Sequence, residues 1–277
     1  MWTLILPAAV AAALAGYTGG LLGVVALRLR LSALGYAMAH AAFAGAALGL
    51  LLGISPLALA LTFSLVVAAL LGPISERTGL PTDTVLALLF PLTMALGFLF
   101  LALTPGLPLT SPALTLLWGS LLGVAWSDVA ALAGVALLAS AFLLLFRREV
   151  WATLVERRLA EEAGIPARAI LWALLFLLGA GVAAALRLVG GLLVYALLFL
   201  PSSAAAQLTF ELRRQFLFAP LLGMVSALGG LALSFFANLP VGTAIALTAC
   251  GFFLVSWALS PRKRLALPGP LERGPGQ

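Results

Sequence analysis

The sequence predicts an all-α protein built as a polytopic transmembrane helix bundle. Hydrophobic residues make up 64% of the chain and charged residues only 9%, and long apolar stretches recur almost from end to end. A soluble domain carries about 25% charged residues, so this chain cannot cover a globular surface with polar groups. We therefore expect one transmembrane domain over residues 1–260 and a flexible basic C-terminal tail at 261–277.

Apolar segments mark the expected crossings, since a helix spans the hydrocarbon core with about 20 apolar residues. We expect about nine crossings, at residues 4–27, 33–53, 55–74, 84–103, 128–146, 169–186, 189–210, 216–237 and 240–259. The first has no Lys or Arg before it, unlike a cleavable signal, and is interpreted as a retained helix. The piece at 112–126 is shorter, and we expect a half-helix or a surface helix there.

The basic residues predict the orientation in the membrane. If the first segment ends in the cytoplasm, every Lys and Arg except Arg187 falls on the cytoplasmic side. Cytoplasmic loops of membrane proteins carry this excess of Lys and Arg. The sequence thus predicts a multi-pass protein of the cell membrane, with its N-terminus outside and its C-terminus in the cytoplasm. We attribute the net charge of +6 to the basic residues that set the orientation in the membrane, and we expect no nucleic-acid partner.

His40 is the only histidine of the chain and lies within an apolar segment, one helical turn after Tyr36. Ionisable groups inside transmembrane helices usually face the bundle interior and mark a pathway. His40 either contacts a substrate in transit or, as a neutral imidazole, bonds to Tyr36 or a neighbouring helix and holds the packing. Ser202 and Ser203 follow Pro201, and they either satisfy the backbone that the proline opens or line the same path.

The loop at 147–169 is the one sizeable cytoplasmic loop. Its apolar residues recur at helical spacing, and they are Trp151, Leu154, Val155 and Leu159. We expect a single short amphipathic helix ending at Ala163, with Gly164 as the left-handed residue after it. Its apolar face either lies on the membrane surface or docks a cytoplasmic subunit. The chain contains no phosphate-binding loop, so a pump built on it needs its ATPase on a separate chain.

Six segments carry a wider pattern, and they are LSALGYAMAHAAFAGAALG, TDTVLALLFPLTMALGFLFL, LLWGSLLGVAWSDVAAL, VERRLAEEAGI, VGGLLVYALLFLPSSAAAQL and LSFFANLPVGTAIAL. In this order they resemble the integral membrane permeases of ABC importers for zinc, manganese and iron. The resemblance spans nearly the whole chain. It implies an importer that moves divalent metal ions by alternating access.

The resemblance also implies partners. They are a second copy of the chain, with the path at the dimer interface, two cytoplasmic ATPase subunits, and an extracytoplasmic substrate-binding protein. ATP is then bound and hydrolysed on the partner subunits, and this chain is no enzyme and binds no cofactor. The coupling segment of the family matches Glu156, Ala160, Gly164 and Ile165, which would carry the motion between subunits.

Two positions depart from the family pattern. Tyr36 stands where the family usually has Asp four residues before the histidine, and Asn238 stands where its last motif usually has Asp. A carboxylate and an imidazole at this spacing can share one divalent ion, whereas a protonated tyrosine is a poor ligand. His40 is therefore a weakened candidate metal ligand, and Asn238 is either a path residue or a loop turn.

The departures leave other functions open. The same scaffold could import a metal chelate or a small organic substrate. A stand-alone secondary transporter without an ATPase is a further alternative, and it is disfavoured by the loop and by the order of the motifs. An enzyme is least expected, since no nucleophile–base constellation is present.

Overall fold

The computed structural model describes residues 2–30, 34–105 and 124–261, and all regular structure within them is helical. The helices are α1 (Trp2–Arg28), α2 (Leu34–Leu52), α3 (Pro56–Thr78), α4 (Thr82–Leu103), α5 (Trp126–Leu145), α6 (Arg147–Val155), α7 (Arg157–Glu162), α8 (Ala167–Val189), α9 (Gly191–Leu208), α10 (Leu212–Ala237) and α11 (Val241–Ala258). The all-α prediction is confirmed. The predicted half-helix lies outside the described residues, apart from its last three residues, as does almost all of the tail.

Some of these helices are long and apolar enough to cross a membrane, and others are shorter. Among the described residues 7 helices are long and apolar enough to cross a membrane, and Ala37–Leu52 and Leu193–Leu208 are shorter apolar helices. Each of the predicted apolar segments coincides with one of these helices. The chain is thus a multi-pass membrane protein, in which the segment pattern located the helices to within a few residues.

The centre of the bundle is formed by α1 and α8. Both are 67% buried over their apolar windows, whereas α11 is 22% buried and α3 and α4 are each 28% buried. The outer helices expose leucines, including Leu137, Leu138, Leu144 and Leu145 of α5. Such leucines are at no disadvantage in lipid, where packing rather than the hydrophobic effect holds helices together.

Small residues bring helix backbones into contact. Gly16 and Gly20 of α1 pack on Gly223 and Ala219 of α10, and a Cβ on either glycine of α1 would overlap a carbonyl oxygen of α10. Gly45 and Gly49 of α2 pack in the same way on the first half of α3. Close approach at small residues spaced by four is the usual way to join helices in lipid.

Glycine contacts also give the relative directions of α1, α9 and α10. Gly16 meets Gly223 and Gly20 meets Ala219, so α1 and α10 run antiparallel. Gly19 meets Leu197 and Gly23 meets both Leu198 and Ser202, so α1 and α9 run parallel. Both directions are those that strictly alternating crossings require.

Three long-range polar contacts join helix ends. If successive helices cross the membrane in alternating directions, all of these ends lie on the same side of the membrane. Arg28 bonds to Gln215, Arg168 forms an ion pair with Glu76, and Ser260 bonds to Gln207. The ends of α1, α3, α9 and α11 therefore share one end of the bundle with the starts of α8 and α10. We call this the basic end of the bundle, because Arg28, Arg77, Arg168, Arg213 and Arg214 lie at these helix termini.

The single helix predicted across the loop is wrong. The loop contains α6 and α7, separated at Glu156, whose backbone is extended with φ −154 and ψ 104. In an unbroken helix Glu161, seven residues after Leu154, would fall on the buried face. The break instead brings Ala160, 3% exposed, to the bundle and leaves Glu161 in solvent.

The predicted end of that helix is confirmed. Ala163 is the C-cap of α7, and Gly164 follows with φ +80. The Ile165 N–H donates to the Ala160 carbonyl and the Gly164 N–H donates to the Glu161 carbonyl, each at 3.0 Å. These two bonds form a Schellman motif, which is why a residue without a side chain occupies position 164.

Candidate functional site

His40 lies at the interface of α2 and α4. Its imidazole packs edge-on against the ring of Phe90, with centroids 4.7 Å apart and planes at 71°. The residues on either side of it, Ala39 and Ala41, are fully buried, while His40 itself is only partly buried. The histidine is thus held against α4 and keeps some access to space beside the helix, as a pathway residue would need.

Phe43, one turn after His40, continues the same interface. Its ring lies edge-on to Phe98 at 5.5 Å, and a Cβ on Gly97 would overlap it. Gly97 therefore makes room on α4 for an aromatic side chain of α2. Sequence reasoning selected His40 but missed Phe90 and this partner helix, because nothing in a single sequence pairs two helices.

Tyr36 lies in the first turn of α2, and only its backbone is described. It is four residues before His40, so both residues lie on one face of the helix. The predicted pairing of the two side chains stays a prediction.

Ser202 is fully buried inside α9, where Pro201 has no N–H to give to the Leu197 carbonyl. The Ser202 hydroxyl donates to the Leu198 carbonyl at 2.7 Å and lies 3.1 Å from the Phe199 carbonyl. A Cβ on Gly23 of α1 would stand 2.9 Å from this hydroxyl. Ser202 is therefore engaged with its own helix and covered by α1, the arrangement expected of a serine that satisfies backbone near a proline.

Ser203 has a different environment. It lines a cleft of about 690 Å³ at the basic end, together with Arg28, Arg30, Glu156 and Gln215. The structure thus brings together one predicted pathway residue, Ser203, and one predicted coupling residue, Glu156. The cleft lies between the ends of α1, α6 and α9 and the start of α10.

A buried polar cluster that the sequence analysis did not single out lies beside this cleft. Gln215 is 1% exposed; its carbonyl oxygen accepts from Arg28 at 2.8 and 3.2 Å, and its amide nitrogen donates to the Thr209 carbonyl at 2.9 Å. The cluster ties the end of α1 to the turn between α9 and α10. A glutamine among the charged residues that start α10 was the available signal, and its burial was not predictable.

Asn238 ends α10. Its backbone is left-handed, with φ 51 and ψ 40, and its N–H donates to the Ser234 carbonyl. The Ser234 hydroxyl in turn donates to the Leu239 carbonyl at 2.6 Å. After glycine, asparagine is the residue that most readily adopts this conformation at a helix end. The residue forms the expected loop turn, at the opposite end of α10 from Gln215.

The remaining coupling residues lie around α7. Ala160 is buried, Gly164 is exposed in its left-handed turn, and Ile165 is partly buried. Two apolar residues that flank Glu156, Val155 and Leu159, are 73% and 63% exposed. The loop thus presents exposed apolar side chains on both sides of an acidic residue, and Val155 borders the cleft at the basic end together with Glu156.

Within the part of the chain that the structure describes, no three His, Cys, Asp or Glu residues come together as a metal site.

The fold defines a multi-pass helical membrane protein, with buried polar positions and an amphipathic loop at its basic end. A sequence model of the ABC 3 transport family matches residues 1–260. The chain belongs to this family, and the resemblance carried by the six segments is confirmed.

Individual proteins agree with the family match. The chain is 28% identical over 250 residues to the manganese transport system membrane protein MntC of Listeria innocua, covering 90% of this chain and 88% of the relative. It is 25% identical over 244 residues to the high-affinity zinc uptake system membrane protein ZnuB of Haemophilus influenzae, covering 88% and 92%. PsaBC from Streptococcus pneumoniae, solved in complex with Fab, superimposes with a TM-score of 0.84 at 25% identity, covering 94% of this chain and 93% of that chain.

Proposed function

We propose that the chain is the membrane-spanning permease of an ATP-driven importer for a divalent transition metal ion such as manganese, zinc or iron. The observation that carries the proposal is the family match along residues 1–260. Relatives named for manganese and for zinc both align with about nine-tenths of the chain, which supports a metal substrate without choosing the ion.

The proposed orientation places the basic end of the bundle in the cytoplasm. The loop of α6 and α7 and the arginines that end α1 and begin α8 and α10 lie there, in agreement with the positive-inside rule. The N-terminus is then outside and the C-terminus inside. An extracytoplasmic binding protein would deliver the substrate at the opposite end, where Asn238 turns the chain.

The proposed energy source is a pair of ATPase subunits docked on the loop. Val155 and Leu159 supply exposed apolar contacts, and Glu156 lies between the two helices at the one extended residue. A force applied to α7 reaches the bundle through the buried side chain of Ala160. Glu156 also lines the cleft that contains Ser203, so movement of the loop changes the shape of that cleft.

His40 is the proposed substrate contact within the membrane. Its partial burial and its place between α2 and α4 allow the imidazole to meet an ion on a path along α2, in a dimer of two such chains. Neutral imidazole is the commonest metal ligand among protein side chains, and a single histidine does not by itself choose the ion.

The test is reconstitution of the permease with its ATPase subunits and binding protein in proteoliposomes. We expect ATP-dependent uptake of one of Mn²⁺, Zn²⁺ or Fe²⁺, each supplied alone. His40→Ala should reduce uptake by at least tenfold with an unchanged melting temperature. Phe90→Leu is the matched control for packing at this contact and should retain most uptake. Unchanged uptake with a lowered melting temperature in His40→Ala would leave the histidine only a structural role.

A second experiment tests the coupling surface. Val155→Ser and Leu159→Ser change exposed side chains, so we expect a folded permease that no longer co-purifies with the ATPase. Leu144→Ser, at an exposed position of α5 outside the loop, is the control and should not affect co-purification. If the ATPase still binds both loop variants as tightly as the parent, the docking surface lies elsewhere.

One observation favours a second substrate class. Tyr36 and Asn238 replace the two carboxylates of the family pattern, which removes negative charge that would attract a free cation. A metal chelate or a small organic molecule carried by the same machinery is therefore the alternative. It predicts that the binding protein binds the chelate and does not bind the free ions.

A further inference from the structure

A second cleft at the basic end has no part in the proposed transport path. It has a volume of about 350 Å³ and lies between the end of α3, the start of α4, the α6–α7 loop and the start of α8. Its lining changes character with depth. Arg157, Arg168 and Glu76 form the rim, and Leu71, Leu171 and Leu175 form the inner wall.

The change from charged to apolar follows the expected membrane normal. Arg168 lies in the first turn of α8, Trp172 lies one turn deeper, and Leu175 lies about 10 Å from Arg168 along the helix. Trp172 rests on the bare backbone of α3, since a Cβ on Gly72 would stand only 3.0 Å from its ring. Tryptophan is enriched at the depth where headgroups meet hydrocarbon.

The guanidinium groups at the rim keep donors to spare. Arg168 contacts Glu76 at 3.5 Å and Arg157 contacts Glu161 at 2.8 Å, and each of these is a single contact to one carboxylate oxygen. A guanidinium has five N–H donors, so one such contact leaves the others for a phosphate. Thr82 adds a hydroxyl group to the lining, whereas the Ser75 hydroxyl donates to the Leu80 carbonyl at 2.7 Å.

We infer that this cleft binds an anionic phospholipid of the cytoplasmic leaflet. The phosphate is held by Arg157 and Arg168, and the glycerol region and upper acyl chain lie against the partly exposed side chains of Trp172 and Leu171. Basic pockets between transmembrane helices on the cytoplasmic side are suited to anionic headgroups, and that leaflet supplies them. The inference uses the proposed orientation but does not depend on which substrate is transported.

Occupancy of the cleft has a structural consequence. Arg157 and Thr153 belong to the loop, whereas Arg168 and Trp172 belong to α8 at the centre of the bundle. A lipid bound between them adds a non-covalent bridge between the loop and the bundle. An anionic lipid is therefore expected to stabilise the loop as well as the helix ends.

The test is native mass spectrometry of the full-length purified permease titrated with phosphatidylglycerol or phosphatidylcholine. We expect preferential retention of phosphatidylglycerol. Arg168→Gln should weaken its binding about fivefold, as expected for one arginine near the surface. Arg213→Gln removes an exposed arginine from the start of α10, outside this cleft, and should leave binding unchanged. Melting temperatures measured in phosphatidylcholine verify that both variants are folded.

Several results would overturn the inference. Equal retention of the two lipids, or an equal loss in Arg168→Gln and Arg213→Gln, would mean that no specific site exists. Competition by glycerol phosphate at the same concentration would make the cleft a site for soluble anions. Displacement of the lipid by the ATPase subunit would assign the cleft to protein docking. None of these outcomes bears on whether the chain transports metal.

Discussion

Gly16 of α1 and Gly223 of α10 pack backbone against backbone, and each occupies the space that a Cβ on the other would need. We predict that Gly223→Ala lowers the stability of the bundle by about 1–3 kcal/mol, since the added methyl has no space and the helices must separate. Thermal unfolding in detergent, followed by tryptophan fluorescence, measures the change.

Gly134→Ala is the control for this prediction. It places the same methyl on α5, where nothing lies within 4 Å of the new Cβ. Its melting temperature should equal or exceed that of the parent, because alanine favours the helix more than glycine does. Equal losses in the two variants would mean that the added methyl destabilises the protein wherever it is placed, and that the close crossing of α1 and α10 is not the cause.

The hydroxyls of Tyr17 and Ser140 join α1 to α5. They lie 2.8 Å apart, and Ser140 itself donates to the Ala136 carbonyl, so Tyr17 is the donor to Ser140. Tyr17→Phe should cost about 0.6 kcal/mol, the average for such bonds inside membranes. A double-mutant cycle with Ser140→Ala isolates the bond, and additive losses would show that the two hydroxyls are not coupled.

The buried amide of Gln215 connects Arg28 to the Thr209 carbonyl. Gln215→Met keeps the shape but removes both interactions, and should destabilise the protein by about 1–3 kcal/mol. Gln215→Glu keeps an acceptor for Arg28 and loses only the donor to Thr209, so its melting temperature should fall between those of Gln215→Met and the parent. A Gln215→Met protein as stable as the parent would contradict the prediction.

The left-handed backbone of Asn238 gives a way to separate its two interpretations. Asn238→Ala should cost less than about 2 kcal/mol, because alanine lacks the short polar side chain that lets asparagine tolerate this conformation, whereas Asn238→Gly should be neutral or stabilising in thermal unfolding. If the residue is only a turn, Asn238→Gly also transports like the parent. Loss of transport at an unchanged melting temperature would instead make the side chain part of the path.

Much of the fold could be predicted because lipid imposes a simple rule on the chain. Backbone groups in hydrocarbon must bond within their own helix, so apolar length alone locates each crossing. The Gly164 turn was likewise predicted from residue type. The break at Glu156 was missed because it depends on which face of α7 the bundle accepts, and not on local propensity.

The candidate site was only partly predictable. A lone histidine in an apolar helix can be recognised from the sequence as a candidate. Its contact with Phe90 joins residues fifty positions apart, and no local pattern predicts such a contact. Ser202 and Ser203 look equivalent in sequence. Successive residues of a helix point in different directions, so Ser202 faces α1 and bonds to its own backbone. Ser203 instead lines the cleft at the basic end.

The sequence by itself determined the class of protein, the positions of the helices, the side on which the basic residues gather and the family. These properties depend on composition and short-range spacing, to which each residue contributes independently of its distant neighbours. Only the tertiary structure decided which glycines face which helix, how Gln215 is buried, and that Arg157 and Arg168 border one cleft. Those relationships arise from packing, which is a property of pairs of surfaces and is absent from any single segment.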